Sequence, residues 1–337
     1  MSSINVAVLG GGSWGTTVAH LCAQKGPTTL WARSEETVAD VNEVHRNRRY
    51  LPDYDLDPSL RATTDFAEAL DTADLVVMGI PSQAFRETLR DAVPHIRPWV
   101  PVVSLTKGLE LDTGLRMTEV VHEELPGHPV GVLTGPNLAK EIMAGAATAS
   151  VLSMQDDAVA QALQALFGGE AFRVYTNDDL VGCELGGVFK NVIAIAAGMA
   201  DGMGTGDNTR AALITRGLAE ITRIGVAYGG SPLTFAGLAG MGDLIATCIS
   251  PQSRNRTVGQ KLGEGMTIEA VIDEMNQVAE GVKSCRAVQA MAREAGVEAP
   301  ITDQVVAVCH EGASVREVYA RLLGRATRHE LHGIADR

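Results

Sequence analysis

The residues most able to do chemistry are one lysine in an apolar stretch and a short set of cations, amides and one carboxylate elsewhere in the chain. Lys190 is the one charge between Glu184 and Asp201. Leu185, Val188, Val192, Ile195 and Met199 recur there at steps of three and four, which predicts a helix. Gly187, Asn191, Ala194, Ala197 and Gly198 occupy its other side, so the helix is expected to be buried nearly all round. A buried ammonium needs a partner, and loss of water pushes its pKa down toward the range of a proton shuttle. The plainer alternative is a lysine whose stem carries the charge out to water. Lys107 follows the apolar run VVSLT, and Asp243 precedes Ser253-Arg254-Asn255-Arg256. Planar guanidinium donors beside an amide and a hydroxyl suit a phosphate, and equally a solvated charged face.

Elements must bring these groups together. Residues Asn5 to Leu9 read as a strand covered on both faces, leading directly into Gly10, Gly12 and Gly15 at G-x-G-x-x-G spacing and then a helix-like run to Gly26. That order is what a dinucleotide fold requires, because glycines let a pyrophosphate approach a helix N-terminus. The next strand, Thr28 to Ala32, ends at Arg33, where an arginine favours NADP and leaves NAD open. Further strands are expected at Leu75–Ile80, Pro101–Leu105, Val130–Leu133 and Ala149–Ser153, with a last β segment at Phe172–Thr176. The reading is α/β, an N-terminal Rossmann-like, doubly wound, mostly parallel sheet followed by an all-α C-terminal domain. Its boundaries are expected at 1–178 for the NAD(P)-binding domain and 179–337 for the helical substrate domain. Residues just after each strand, among them Lys107 and Gly135-Pro136-Asn137, would line one crevice. In the helical half, glycines should break the chain before Asp207 or Asn208 caps a new helix, and GLAGMG cannot be an ordinary helix.

A chain of 337 residues with 45% hydrophobic and 20% charged residues has material for about two packed cores. A net charge of −13 gives no footing to nucleic acid or an anionic membrane, so an anionic ligand must be held by locally gathered donors. The five scattered cysteines form no zinc spacing, which predicts no metal and a reducing cytoplasm. The N-terminal MSSIN enters a strand pattern at once, so no signal peptide is expected.

Several long blocks carry a resemblance. GGGSWGT, HxNxxYLP (His45, Asn47, Tyr50, Leu51, Pro52), SLTKGLE, TGPNLAKE, ELGGVFKNVIAIAAG, GDNTRAALITRGLAE, GDLIATCISPQSRNRTVG and VAEGV occur in this order. The chain thereby resembles the bacterial NAD(P)-dependent glycerol-3-phosphate dehydrogenases from Gly10 to about Val282. The resemblance implies reversible interconversion of dihydroxyacetone phosphate and sn-glycerol 3-phosphate with NADP or NAD, supplying phospholipid synthesis, in a homodimer. It implies cofactor contacts by Ser13, Trp14, Arg33, Tyr50, Ala139, Val278 and Glu280, and by Lys107 and Arg254 near both ligands. It places Gly135, Asn137, Asp243, Ser253 and Asn255 on the substrate and makes Lys190 the proton acceptor, with Lys107 orienting the reacting oxygen and Asp243 the hydroxyls. The chain departs from the family pattern at Asn137-Leu138, where Ser or Thr followed by Phe is common, and at Ser34, where a basic residue often follows the arginine. The alternatives are a hydroxyacid dehydrogenase of the same plan and a non-catalytic NAD(P) sensor.

Overall fold

The computed structural model describes residues 4–275 and 279–326. The chain divides into two compact units, Met1–Leu180 and Val181–Arg337. The first unit runs β1 (Val6–Leu9), α1 (Ser13–Ala23), β2 (Thr28–Trp31), α2 (Glu35–Val44), β3 (Arg61–Thr63), α3 (Phe66–Leu70), β4 (Leu75–Met78), α4 (Ser82–Ala92), β5 (Val102–Ser104), α5 (Met117–Glu124), β6 (Val130–Thr134), α6 (Ala139–Met143), β7 (Thr148–Met154), α7 (Asp157–Phe167) and β8 (Phe172–Asn177). One sheet has the order β3-β2-β1-β4-β5-β6-β7-β8. Every neighbouring pair is parallel except β6 and β7.

The apolar runs are continuous because both faces of the sheet are covered. Val6 and Val8 of β1 belong to one buried cluster, and Ala7 and Leu9 to another on the opposite face. Strand β3 escaped the sequence reading since Arg-Ala-Thr is three residues long with an exposed arginine, and offers no apolar period. The sheet order turns back between β1 and β4, and the glycine turn lies at the carboxyl ends of these strands. Gly10 has φ +121°, and a Cβ there would meet the Gly79 carbonyl oxygen at 2.4 Å. Only glycine fits that turn.

The second unit is helical: α8 (Leu180–Gly202), α9 (Asp207–Ala227), α10 (Pro232–Ala236), a π-helical turn at Leu238–Gly242, α11 (Asp243–Ile249), α12 (Arg254–Gly263), α13 (Ile268–Glu274), α14 (Glu280–Glu294), α15 (Pro300–His310) and α16 (Val315–Leu323). Helix α8 is long and apolar enough to cross a membrane, yet 94% of its most apolar window is buried, and it serves as the core of this unit. The cap of α9 differs from expectation: Gly206, at φ +83°, is the N-cap, and Asp207 stands in the first turn instead. GLAGMG does depart from an α-helix, as its glycines imply. A Cβ on Gly240 would strike the Phe235 carbonyl oxygen at 2.1 Å.

Helices α8 and α12 meet backbone to backbone. A Cβ on Gly198 would lie 2.1 Å from the Arg256 oxygen, one on Gly202 2.1 Å from the Gln260 oxygen, and one on Gly259 2.0 Å from the Ile195 oxygen. These three glycines, with Gly263, whose Cβ would lie 2.3 Å from the Met199 oxygen, set α12 directly against the helix that carries Lys190.

Candidate active site

Lys190 is 5% exposed, in the middle of the buried α8. Its ammonium donates to Asp243 Oδ1 and, at 2.8 Å, to Thr247 Oγ1. Asp243 is 2% exposed and opens α11, and Thr247 lies one turn later with its hydroxyl donating to the Asp243 carbonyl at 2.7 Å. A lysine and an aspartate distant in sequence are therefore held as a desolvated ion pair with a hydroxyl beside them. Such a pair persists because each charge compensates the other where water cannot. The lysine does not carry its charge out to solvent. Thr247 was not among the expected site residues, although its position four residues after Asp243 on one helix face was a readable signal.

The Ser253 to Arg256 run divides its labour. Ser253 is the N-cap of α12 and accepts from the Arg256 N–H at 3.2 Å. The Arg256 guanidinium is bonded to Asp201 at 2.8 and 2.9 Å, and so braces α12 against the end of α8. Arg254 is exposed. Asn255 donates to Asn191 Oδ1 at 2.9 Å and accepts from the Gly281 N–H at 2.9 Å, tying together α8, α12 and the start of α14. Its amide carries one further N–H. Glu280 is the first residue of α14, whose N-cap, Ala279, has no side-chain cap. Val278 lies outside the described residues.

In the first unit the loops that follow the strands are stitched to one another. Thr106 Oγ1 donates to the Ile80 carbonyl at 2.6 Å, and Lys107 Nζ donates to the Gly135 carbonyl at 2.8 Å. This brings together the segments after β4, β5 and β6. Asn47 of the HxNxxYLP block donates to the Gly11 carbonyl and to Thr16 Oγ1, both at 2.9 Å, and so fixes its loop, with the half-buried Tyr50, against the glycine turn. Asn47 is a clamp, a role that its place in the HxNxxYLP block does not by itself reveal.

The residues present fit a dinucleotide. Helix α1 begins at Gly12 with no side-chain cap and no acidic residue in its first turn, so its N–H groups remain for an anion. A Cβ on Gly12 would meet nothing within 4 Å, whereas one on Gly15 would strike the Gly10 oxygen at 2.1 Å. The open space lies where the middle glycine of the motif lets a pyrophosphate approach. Ser13 and Trp14 form the first turn of α1, and Trp14 Nε1 is buried without a hydrogen-bond partner among the described residues. Arg33 is exposed at the end of β2, and Ser34 uses its hydroxyl to cap α2, accepting from Thr37 at 3.4 Å. Between β6 and α6, both polar atoms of the Asn137 amide are buried and unpartnered among the described residues, just before Ala139. Gly135, before it, has φ +124°. A buried amide left without partners is costly unless a ligand completes it. No group of three or more His, Cys, Asp or Glu suited to a metal occurs among the described residues.

A doubly wound sheet opened by a glycine-rich turn, followed by a helical unit built round a buried lysine, defines a two-unit dinucleotide-linked dehydrogenase. Residues 5–160 match the model for the NAD-dependent glycerol-3-phosphate dehydrogenase N-terminus, and residues 179–320 the model for its C-terminus. The chain belongs to the NAD-dependent glycerol-3-phosphate dehydrogenase family. It is 60% identical over 329 residues to glycerol-3-phosphate dehydrogenase (NAD(P)+) 2 of Sphingopyxis alaskensis, covering 98% of this chain and 99% of that one. Glycerol-3-phosphate dehydrogenase (NAD(P)+) 1 of Mycobacterium tuberculosis is 54% identical over 97% of this chain and 96% of its own length. The crystal structure of glycerol-3-phosphate dehydrogenase from Coxiella burnetii superposes with a TM-score of 0.91 at 38% identity, covering 96% of this chain and 99% of that one.

Proposed function

We propose that this enzyme interconverts dihydroxyacetone phosphate and sn-glycerol 3-phosphate with NAD(P)H as the reductant. The observation that carries the reading is the desolvated Lys190–Asp243–Thr247 cluster in a chain whose relatives of 54% and 60% identity bear that name over nearly their full length. When bound, the nicotinamide supplies the hydride that reaches C2 of the ketone. Lys190 protonates the oxygen that forms there, and in reverse its neutral amine takes the proton back. Asp243 and Thr247 hold the amine in place, and Asp243 orients the hydroxyls. The α1 N-terminus with Gly10, Gly12, Ser13, Trp14 and Gly15 binds the pyrophosphate region of the cofactor, aided by Tyr50, Ala139, Val278 and Glu280. Arg33 lies where an adenosine 2′-phosphate is recognised, which favours NADPH. Arg254, Ser253 and the remaining Asn255 N–H bind the substrate phosphate, and Lys107, Gly135 and Asn137 contact the substrate.

A hydroxyacid dehydrogenase or a sensor reading draws no support from these relatives. The buried thiols of Cys22, Cys248, Cys285 and Cys309, none of them in a disulfide, suit a reducing cytoplasm. The exposed stripe of Met241, Ile245 and Ile249, at steps of four, suits a homodimer. The decisive experiment mixes purified enzyme with dihydroxyacetone phosphate and follows loss of NADPH or NADH absorbance in separate reactions. Oxidation dependent on the triose phosphate, faster with NADPH, is expected. Cofactor binding without turnover, or turnover with a 2-keto acid instead, overturns the reading.

A further inference from the structure

The helical unit contains a cavity of about 890 Å³ whose lining takes in neither Lys190, Asp243 and Thr247 nor the α12 N-terminus. Its size lies within the roughly 300–1,000 Å³ of small-molecule sites. Met199 of α8, Leu213 of α9, Ile301 and Val305 of α15, and Val318 and Leu322 of α16 form most of an apolar wall. Nothing in the dehydrogenase reaction, whose substrates are small and strongly polar, uses such a wall.

The polar groups of the cavity are unequal. Its two acids are already committed. Glu220 is fully buried and accepts from the Ile301 and Thr302 N–H groups at 2.8 Å each and from Thr302 Oγ1 at 2.7 Å, which caps the N-terminus of α15. Glu298 is paired with Arg325 at 2.8 Å. Arg223 differs. Its guanidinium makes one long hydrogen bond, 3.4 Å to the Glu298 carbonyl, and no ion pair among the described residues. Partial burial disfavours its charge and lowers its pKa, against the opposing pull of the Glu220 and Glu298 carboxylates nearby. Gln304 lines the same cavity and its amide oxygen is buried without a partner among the described residues. An amide of this kind can turn either its oxygen or its N–H₂ to a ligand.

An apolar trough with an under-satisfied guanidinium and a side-chain amide is complementary to one kind of molecule: a hydrocarbon chain that ends in a planar anion. We infer that this cavity binds a long-chain carboxylate, its alkyl chain along α8, α15 and α16 and its head group on Arg223 and Gln304. A carboxylate offers the guanidinium two parallel acceptors, which a hydroxyl or an ammonium head cannot. The inference does not rest on the proposed dehydrogenase reaction, because no residue of the cavity is given a part in that reaction.

The test uses the full chain and laurate below its micelle-forming concentration, read by isothermal titration calorimetry and by displacement of a dansylated undecanoate. Saturable binding of one laurate per chain is expected. Arg223→Gln is expected to weaken it roughly tenfold or more, the usual scale for losing a hydrogen bond to a charged group. Val305→Trp should abolish it by filling the trough. Dodecanol and dodecyltrimethylammonium are expected to bind far more weakly than laurate. Thermal melting of both variants shows whether they fold, and Arg223→Gln, which leaves the wall intact, keeps the test open if Val305→Trp does not. Absence of saturable binding, equal binding of the cationic amphiphile, or laurate affinity unchanged in a folded Arg223→Gln each overturns the inference. So does light scattering that finds a dimer which Val305→Trp converts to a monomer, with no laurate bound to either form.

Discussion

Removal of one partner from the Lys190–Asp243 pair should show how much of the second unit's stability depends on charge compensation. With Lys190 at 5% and Asp243 at 2% exposure, neither charge can be rescued by water in place. Asp243→Leu leaves a buried ammonium beside the Thr247 hydroxyl without the Asp243 countercharge. Breaking a buried pair in this way costs about 3–5 kcal/mol. At about 2–4 °C per kcal/mol for a unit of this size, the melting temperature should fall by roughly 6–20 °C. Removing both charges at once, with Lys190→Met added to Asp243→Leu, replaces the pair by apolar groups and should recover most of that loss, since such exchanges are often near neutral. Scanning calorimetry of the native enzyme, both single variants and the double variant completes the cycle. If Asp243→Leu melts within a degree or two of the native enzyme, or the double variant is no more stable than the single ones, the ammonium is not held as described.

The same lysine is expected to matter separately for rate: Lys190→Met should lower kcat by about 10²–10⁴-fold with little change in NADPH affinity, as stopped-flow reduction and fluorescence titration would report. Asn137→Ala removes two buried polar atoms that have no partner among the described residues, so its melting temperature should stay level or rise, while KM for dihydroxyacetone phosphate rises about tenfold or more. An unchanged KM would release Asn137 from the substrate. Gly259→Ala places a Cβ 2.0 Å from the Ile195 oxygen and should cost about 1–3 kcal/mol, with KM for the triose phosphate disturbed more than KM for the cofactor. His20 accepts the Asp57 N–H at 2.9 Å, and burial lowers its pKa below the ordinary 6.5. Its folded-state pKa is thus depressed, so its contribution is fully present above pH 6.5 and is lost as the pH falls through the folded value. In His20→Gln the urea midpoint should depend less on pH below 6.5, and a profile that still matches the native slope would contradict this.

What the sequence made legible follows from how directly each signal is tied to one residue's physics. The glycine turn and the buried strands were readable because φ, close approach and an unbroken apolar run leave few other sequences possible. Lys190 was readable as a charge that must find a partner, but not the identity of that partner. Asp243 lies 53 residues away in sequence and reaches the lysine only through the π-helical turn that precedes α11. Strand β3 carried no period to detect, and the Asp207 cap failed because a glycine with positive φ took its place. Asn255 and Arg256 read alike as phosphate donors, whereas Arg256 is engaged with Asp201 and most of Asn255's capacity goes to Asn191 and Gly281. Side chains that could serve a ligand or a neighbouring helix cannot be told apart until the helix is in place.

The glycine contact between α8 and α12 removes the usual means by which packed helices adjust. Side chains can change rotamer to absorb a small slide, but main chain pressed on main chain has no such slack. The lysine and the arginine–asparagine pair therefore travel as a single rigid block. Any adjustment to an arriving substrate must come from loops or from movement of that whole block, never from the backbone that carries Lys190 sliding alone.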